Sequence, residues 1–191
     1  MARRKEYDRD VVLKKATDLF WEKGFKATSI SDIVTATGLN TASMYQEFGD
    51  KSGLFEEALG YYQDNILGQR LQILIDQPNL TGIYTFLDDV VRGTAEPQFK
   101  GCLMMNHLAQ QNSISKKASR RISKFNDKME SLVETALINA QQDGKLGPNK
   151  DPRFLASYIM FCVHGLTLYG RHANKKPSLH DLQQLALHAL S

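Results

Sequence analysis

Residues 28–55, TSISDIVTATGLNTASMYQEFGDKSGLF, restrict the fold of this chain more than any other stretch. Apolar residues recur at helical spacing after Thr28, a residue type that commonly caps a helix. Gly38 ends this first segment at a point where glycine adopts a left-handed backbone without a steric penalty. Asn40 is expected to cap a second short segment. The stretch therefore predicts two short helices joined by a glycine turn, which is a helix-turn-helix.

The charge of the chain has to be judged by position, because the net charge of its 191 residues is only +3. So small a balance does not by itself indicate a nucleic-acid binder. Basic Arg3, Arg4 and Lys5 nevertheless precede the first helix, and Lys51 begins the helix after the pair. Because a helix-turn-helix places its second helix in the major groove, this placement favours double-stranded DNA as a partner.

A longer stretch, RDVVLKKATDLFWEKGFKATSISDIVTATGLNTASMYQEFGDKSGLFEEAL from residue 9 onward, closely resembles the N-terminal domain of the TetR/AcrR family of bacterial transcriptional regulators. The shared elements are the LF-x-x-x-GF end of the first helix, the TS-x-x-x-I opening of the second, the G-L-N turn, the Y-x-x-F pair and the lysine that follows. The resemblance covers about the first 50 residues. The rest of the chain is similar to the family only in its helical layout.

The resemblance implies which residues contact DNA. Phosphate contacts are expected from Thr28, Tyr45 and Lys51, and a dimer that reads two half-sites implies a palindromic operator. The expected readers of base edges lie on the second helix of the pair or at its cap: Asn40, Thr41, Ala42, Ser43 and Gln46. Met44 and Phe48 are assigned to packing.

The chain departs from the family after the tyrosine. The family often has an aromatic or histidine pair where this chain has Gln46 and Glu47, and an acidic residue where this chain has Gly53. Glu47 would repel phosphate if it faced the DNA backbone, whereas it would accept a hydrogen bond from a cytosine amine. These differences leave the operator sequence open.

The remainder of the chain is expected to be helical, and we find no alternating strand pattern of useful length. The predicted fold is all-α with about nine helices. Residues 1–49 are expected to form the helix-turn-helix DNA-binding domain, and residues 50–191 a helical effector-binding and dimerisation domain. Asp50 caps a helix over about residues 50–75, which is expected to be one long rod that connects the two. Asp151 before Pro152 predicts a helix start, and Ser178 with Asp181 predicts the last one.

Residues 154–170, FLASYIMFCVHGLTLYG, are apolar on more than one helical face. A surface helix of a monomer does not tolerate this pattern. The segment is therefore either a central core helix or a helix buried both against its own body and against a second subunit. In the family the last two helices usually build a four-helix dimer interface, so the resemblance implies a homodimer.

The expected effector is a small apolar or electrophilic molecule in a mainly apolar pocket. Cys102 follows Lys100 and Gly101 at a predicted helix start, where a positive charge and a helix N-terminus favour the thiolate. The opposing interpretation is that Cys102 is a small buried apolar residue. The residues expected to contact the effector are Tyr62, Ile66, Phe86, Cys102 and His164.

Other classes of function have weaker support in the sequence. The two cysteines lack C-x-x-C spacing, and the histidines lack the i, i+4 spacing of a helical metal pair, so neither a metal nor a cofactor is expected. The chain shows no signal peptide or membrane span, which predicts a cytoplasmic protein without a membrane partner. The sequence thus favours a ligand-responsive, sequence-specific transcription regulator, most simply a repressor. Two alternatives stay open: a chromosome-binding protein without an effector, and a thiol enzyme with Cys102 as nucleophile and His107 as base.

Overall fold

The computed structural model describes residues 7–108, 114–171 and 179–188, and all regular structure in these ranges is helical. The prediction of an all-α fold is therefore confirmed. The described ranges contain ten α-helices and one π-helical turn: α1 (Arg9–Lys23), α2 (Ile30–Thr37), α3 (Thr41–Phe48), α4 (Lys51–Tyr62), the π turn (Gln63–Leu67), α5 (Gly68–Asp76), α6 (Leu80–Ala95), α7 (Leu103–Leu108), α8 (Lys116–Gln142), α9 (Pro152–Gly170) and α10 (Leu179–His188).

The helices group into two compact units. The first comprises the chain through Ile66 together with Leu103–Ile122, and the second comprises Leu67–Cys102 together with the chain from Ser123 onward. In the first unit α1 packs against α2, α4 and α7. In the second unit α6 packs against α5, α9 and α10. The short helix α7, which lies far from α1 in the sequence, is thereby part of the unit that contains the helix-turn-helix.

Aromatic side chains form the centre of the first unit. Phe20 on α1 meets Phe55 on α4 edge to face, with ring centroids 5.1 Å apart. Phe25, in the turn after α1, lies 5.0 Å from the same Phe55 ring. All three rings are buried, and aromatic pairs in such geometries contribute beyond the area they bury. This cluster fixes α1 and the turn after it against α4.

The cap of α2 differs from the prediction. Ser29, not Thr28, is the N-cap: its hydroxyl accepts the N–H of Asp32, and the Asp32 carboxylate accepts the N–H of Ser29. This reciprocal pair satisfies two backbone donors, whereas a single threonine cap would satisfy one. Thr28 turns inward instead, and its hydroxyl donates to the carbonyl of Gly24 over 2.7 Å.

The expected single rod after Asp50 is also wrong, because a π turn at Gln63–Leu67 separates α4 from α5. A π turn holds more residues than an α turn and so rotates the side chains that follow it. Gln63 is buried at its start, where its side-chain oxygen accepts from Nε of Arg121 over 2.8 Å and its amide contacts the sulfur of Met104. These partners lie far away in the sequence, which is why helical periodicity did not reveal the interruption.

In the second unit the helix α9 begins where the sequence predicts. Asn79 caps α6, and Asp151 with Pro152 at the first helical position starts α9. Ser178, the predicted cap of the last helix, lies outside the described residues. No helix among the described residues has the length and apolarity that a membrane crossing requires.

Candidate nucleic-acid interface

The turn between α2 and α3 has the predicted geometry. Gly38 is left-handed, with φ 78° and ψ 3°, and its N–H bonds to the carbonyl of Val34. Leu39 is buried just after it, and Asn40 accepts the N–H of Ser43 over 2.8 Å. The glycine ends one helix and the asparagine starts the next within three residues. The orientation of α3 is therefore fixed by local hydrogen bonds and one apolar anchor.

The helix α3 has one buried and one exposed face. Met44 and Phe48 are buried, which confirms their assignment to packing. The opposite face carries the predicted readers of base edges together with the predicted phosphate contact Tyr45. Its exposed members are Asn40, Thr41, Ala42, Tyr45 and Gln46, and Ser43 is half-buried beside them. Seven of the eight predicted contacts thus belong to α3, its cap or the start of α4; the remaining one is Thr28.

Thr28 and Lys51 are engaged within the protein. The Thr28 side chain is only 1% exposed, so it does not share the exposed face of α3. Lys51 is half-buried at the start of α4, and its ammonium donates to the carbonyls of Phe25 over 3.0 Å and of Thr28 over 2.8 Å. The same ammonium lies 4.6 Å from the centre of the Phe25 ring. A lysine has three donors, so Lys51 uses two of them to hold the turn that precedes α2.

Glu47, whose role the sequence left open, is held by an arginine. Its carboxylate lies 3.1 Å from Nε of Arg9 on α1, and the same guanidinium reaches Glu57 at 3.4 Å. Arg9 also lies over the ring of Phe48, with 5.6 Å from Cζ to the centroid. The negative charge on α3 is therefore compensated beside the exposed face. Sequence reasoning missed Arg9, because no spacing rule connects residues 38 positions apart.

The predicted effector contacts are divided between the two units. Tyr62 is buried in the first unit, where its hydroxyl accepts the N–H of Leu103 over 3.4 Å, and Ile66 is half-buried in the π turn. In the second unit Phe86 is buried, whereas Cys102 and His164 are half-buried. Burial lowers the pKa of His164, so its imidazole is held mainly neutral.

His107 has a different place from the one the enzyme alternative requires. It is 1% exposed on α7, its Nε2 accepts the N–H of Phe25 over 3.0 Å, and its Nδ1 lies 2.7 Å from the carbonyl of Leu103. Both ring nitrogens are therefore occupied, and neither is open to take a proton from Cys102. Burial lowers the pKa of His107 as well. Among the described residues no group of three His, Cys, Asp or Glu side chains is arranged to hold a metal.

Known proteins resemble this chain over its helix-turn-helix and over its full length. Residues 12–58 match the profile of the bacterial regulatory proteins of the tetR family. The chain is 28% identical to the HTH-type transcriptional repressor ComR of Escherichia coli K12 over 96% of its length and 88% of that protein. It is 25% identical to the uncharacterized HTH-type transcriptional regulator YezE of Bacillus subtilis 168, over 100% of both chains.

The fold also matches a solved structure of a regulator. The regulator CifR, a cysteine mutant solved with 26-bp double-strand operator DNA, superposes with a TM-score of 0.79 at 24% identity, over 98% of both chains. The sequence profile matches the part of the chain that forms the turn, the caps and the exposed face of α3. Residues 12–58 therefore match the DNA-binding domain of the tetR family, and the chain as a whole is similar to DNA-binding transcription regulators.

Proposed function

We propose that this protein is a ligand-responsive repressor that binds a palindromic operator as a homodimer and is released from it by a small effector. The observation that carries the proposal is the exposed face of α3, where small and polar side chains stand beside Tyr45 on a helix whose other face is buried. Residues of this kind match base edges: an amide side chain pairs with adenine, and a small apolar side chain meets the thymine methyl. The relative ComR is itself a repressor.

The domain assignment that goes with this function has residues 1–49 as the DNA-binding domain and residues 50–191 as the effector-binding and dimerisation domain. The connecting segment begins at Asp50, which accepts the N–H of Gly53 over 2.8 Å and so caps α4. Since Lys51 at the same helix start holds the turn before α2, a movement of α4 acts on the DNA-binding domain directly.

The homodimer is supported by the outer face of α9. Phe154, Phe161 and Leu168 are 70%, 74% and 57% exposed, and they recur every seven residues along the helix. The opposite face buries Leu155, Ile159 and other apolar residues against its own unit. Water contact with so many large apolar groups on one stripe is unfavourable, so a second copy of the same stripe is the partner we propose.

The test of DNA recognition is a selection of bound sequences from a random duplex library with the full chain. The proposal predicts an enriched imperfect palindrome whose half-site centres lie about one helical turn apart or slightly more. Enrichment of no sequence above the library would favour the alternative, a chromosome-binding protein without an operator. An enriched site without dyad symmetry would contradict the homodimer while leaving sequence-specific binding intact.

The effector is proposed to be apolar or electrophilic, with contacts from Tyr62, Ile66, Phe86, Cys102 and His164. Cys102 supports the electrophilic class, because it immediately precedes α7, whose Leu103 N–H bonds to the Tyr62 hydroxyl. A thiol modified at this point acts on the first turn of that helix.

A matched pair of cysteine variants tests this part of the proposal. Burial raises the pKa of the Cys162 thiol and disfavours its reactive thiolate, so Cys162→Ser serves as the control. Cys102→Ser is expected to bind the selected duplex as the wild type does, but to stay bound in the presence of N-ethylmaleimide. Release of Cys102→Ser by the reagent, at the wild-type rate, would exclude a sensor at this thiol.

A further inference from the structure

A hydrogen bond between residues far apart in the sequence joins α7 to the turn after α1. Nε2 of His107 accepts the backbone N–H of Phe25 over 3.0 Å, between residues 82 positions apart. The imidazole also stacks at a tilt on Phe55, with centroids 4.7 Å apart. The bond is buried from water, so its loss leaves a backbone donor without a partner in an apolar surrounding.

The two partners of the imidazole specify its tautomer. Phe25 N–H is a donor, so Nε2 carries a lone pair; the Leu103 carbonyl is an acceptor, so Nδ1 carries the proton. The carbonyl of Leu103 lies one helical turn before His107 on the same α7. The hydrogen bond to Leu103 therefore orients the imidazole relative to α7, and the imidazole moves when α7 moves.

Phe25 passes this restraint on to the start of α2. Its carbonyl accepts from the Lys51 ammonium over 3.0 Å, and its ring lies under the same ammonium. Lys51 in turn holds the carbonyl of Thr28, the residue before the Ser29 cap of α2. One amide, one ring and one ammonium thus connect α7 to the first helix of the helix-turn-helix.

We propose that His107 is a positioning residue for DNA binding, which holds the Phe25 amide so that the Phe25–Lys51–Thr28 contacts set the start of α2. Movement of α7 withdraws the acceptor from Phe25 and loosens the helix-turn-helix. The inference rests on the proposed function, because it gives the DNA-binding face a control point. It adds a residue outside the helix-turn-helix that contacts neither DNA nor effector.

The first experiment compares two substitutions at His107. In His107→Gln the side-chain oxygen lies as many bonds from the backbone as Nε2 does, so it replaces the acceptor. In His107→Asn the side chain is too short to reach Phe25. We expect His107→Asn to speed hydrogen exchange of the Phe25 amide and to weaken binding of the selected duplex, each by about tenfold, and His107→Gln to restore both. Ile83→Val, which trims a buried residue of the second unit, controls for stability loss alone.

Three outcomes of this comparison would contradict a positioning role for His107. Fast exchange in His107→Asn with unchanged DNA affinity would overturn the proposal, because the contact would then be structural only. Equal defects in the asparagine and glutamine variants would also overturn it, since restoring the acceptor would have restored nothing. If Ile83→Val lost as much DNA affinity as His107→Asn, the loss would be explained by lower stability, and this too would contradict a positioning role.

A second experiment uses the unaltered protein, so it stands even if His107→Asn does not fold. If the His107–Phe25 contact favours DNA binding, DNA must favour the contact by the same factor. We expect a saturating amount of the selected duplex to slow exchange of the Phe25 amide by about tenfold, and unchanged exchange would refute the coupling. Failure of the library selection would refute the proposed function, whereas the effect of His107→Asn on Phe25 exchange is measured without DNA.

Discussion

The ammonium of Lys51 lies 2.8 Å from the carbonyl oxygen of Thr28, the residue that precedes the cap of α2. A second bond from the same ammonium reaches the carbonyl of Phe25. The lysine at the start of α4 therefore has a structural task in the free protein, in addition to the phosphate contact that the family resemblance implies.

Replacing Lys51 by methionine should destabilise the protein. The change removes the donor to two carbonyls while it keeps much of the apolar stem, and bonds to a charged group contribute about 1.5–3 kcal/mol. We expect the free energy of unfolding in urea to fall by about 1–3 kcal/mol, whereas Lys26→Met at an exposed position should change it by under about 0.5 kcal/mol. Equal stability of the two variants would show that the hydrogen bonds from Lys51 to the two carbonyls do not stabilise the protein.

The salt dependence of DNA binding separates the two tasks of Lys51. Loss of one phosphate contact lowers the slope of log affinity against log salt by about one unit. We expect Lys51→Met to show this decrease, since the third donor of the ammonium remains for a phosphate oxygen. A slope equal to that of the wild type would leave Lys51 with its internal role alone.

Gln46 and Met44 lie on opposite faces of α3, so alanine should affect them differently. Gln46→Ala should lower discrimination at one operator position by about 1–3 kcal/mol, with little change in stability. Met44→Ala should cost about 2–5 kcal/mol of stability, because it leaves a cavity at a fully buried site. Sequence selection and urea denaturation of both variants measure the difference; an unchanged base profile for Gln46→Ala would remove it from the base readers.

Arg9 and Glu47 should be coupled in DNA binding. In Arg9→Met the Glu47 carboxylate on α3 loses its 3.1 Å partner, so its negative charge repels the approaching phosphates more strongly. We expect weaker binding in Arg9→Met and recovery of about 0.5–3 kcal/mol when Glu47→Gln is added. Affinities of the two single variants and the double variant give the coupling energy. Strictly additive effects would show that Arg9 does not act through Glu47.

The outer stripe of α9 should set the oligomeric state. A charge at Phe161, the most exposed residue of the stripe, would be unpaired in an apolar interface. We expect Phe161→Glu to give the mass of one chain by light scattering at micromolar concentration, whereas the wild type gives two. Tyr84→Glu, on the exposed side of α6, is the control. A monomeric wild type would contradict the proposed interface.

Stability should depend on pH through His107. Its folded-state pKa is lowered from the ordinary 6.5 by burial, so the unfolded chain takes up the proton first. The contribution of the neutral imidazole is therefore complete above about pH 6.5 and is lost as pH falls from there to the lower folded-state pKa. In His107→Gln the free energy of unfolding should therefore change less with pH over this range. The change that remains includes a contribution from His164, whose pKa is lowered in the same direction.

The sequence by itself determined the features that local hydrogen bonds decide. Gly38, Asn40, Asp50 and Asp151 all take the predicted positions at helix ends. A cap needs only a side chain and an N–H two or three residues away, so the pattern of residue types is enough. The same holds for the buried and exposed faces of α3, which follow from helical spacing.

Only the tertiary structure decided which residues that are far apart in the sequence contact one another. The partners Lys51 and Thr28, Arg9 and Glu47, and Phe25 and His107 lie 23, 38 and 82 positions apart. The π turn at Gln63, likewise, is surrounded by side chains from α7 and α8. No periodicity encodes such contacts, because they depend on how helices pack once the apolar faces are buried. That packing makes His107, which only the enzyme alternative named as a base, a buried link between α7 and the helix-turn-helix.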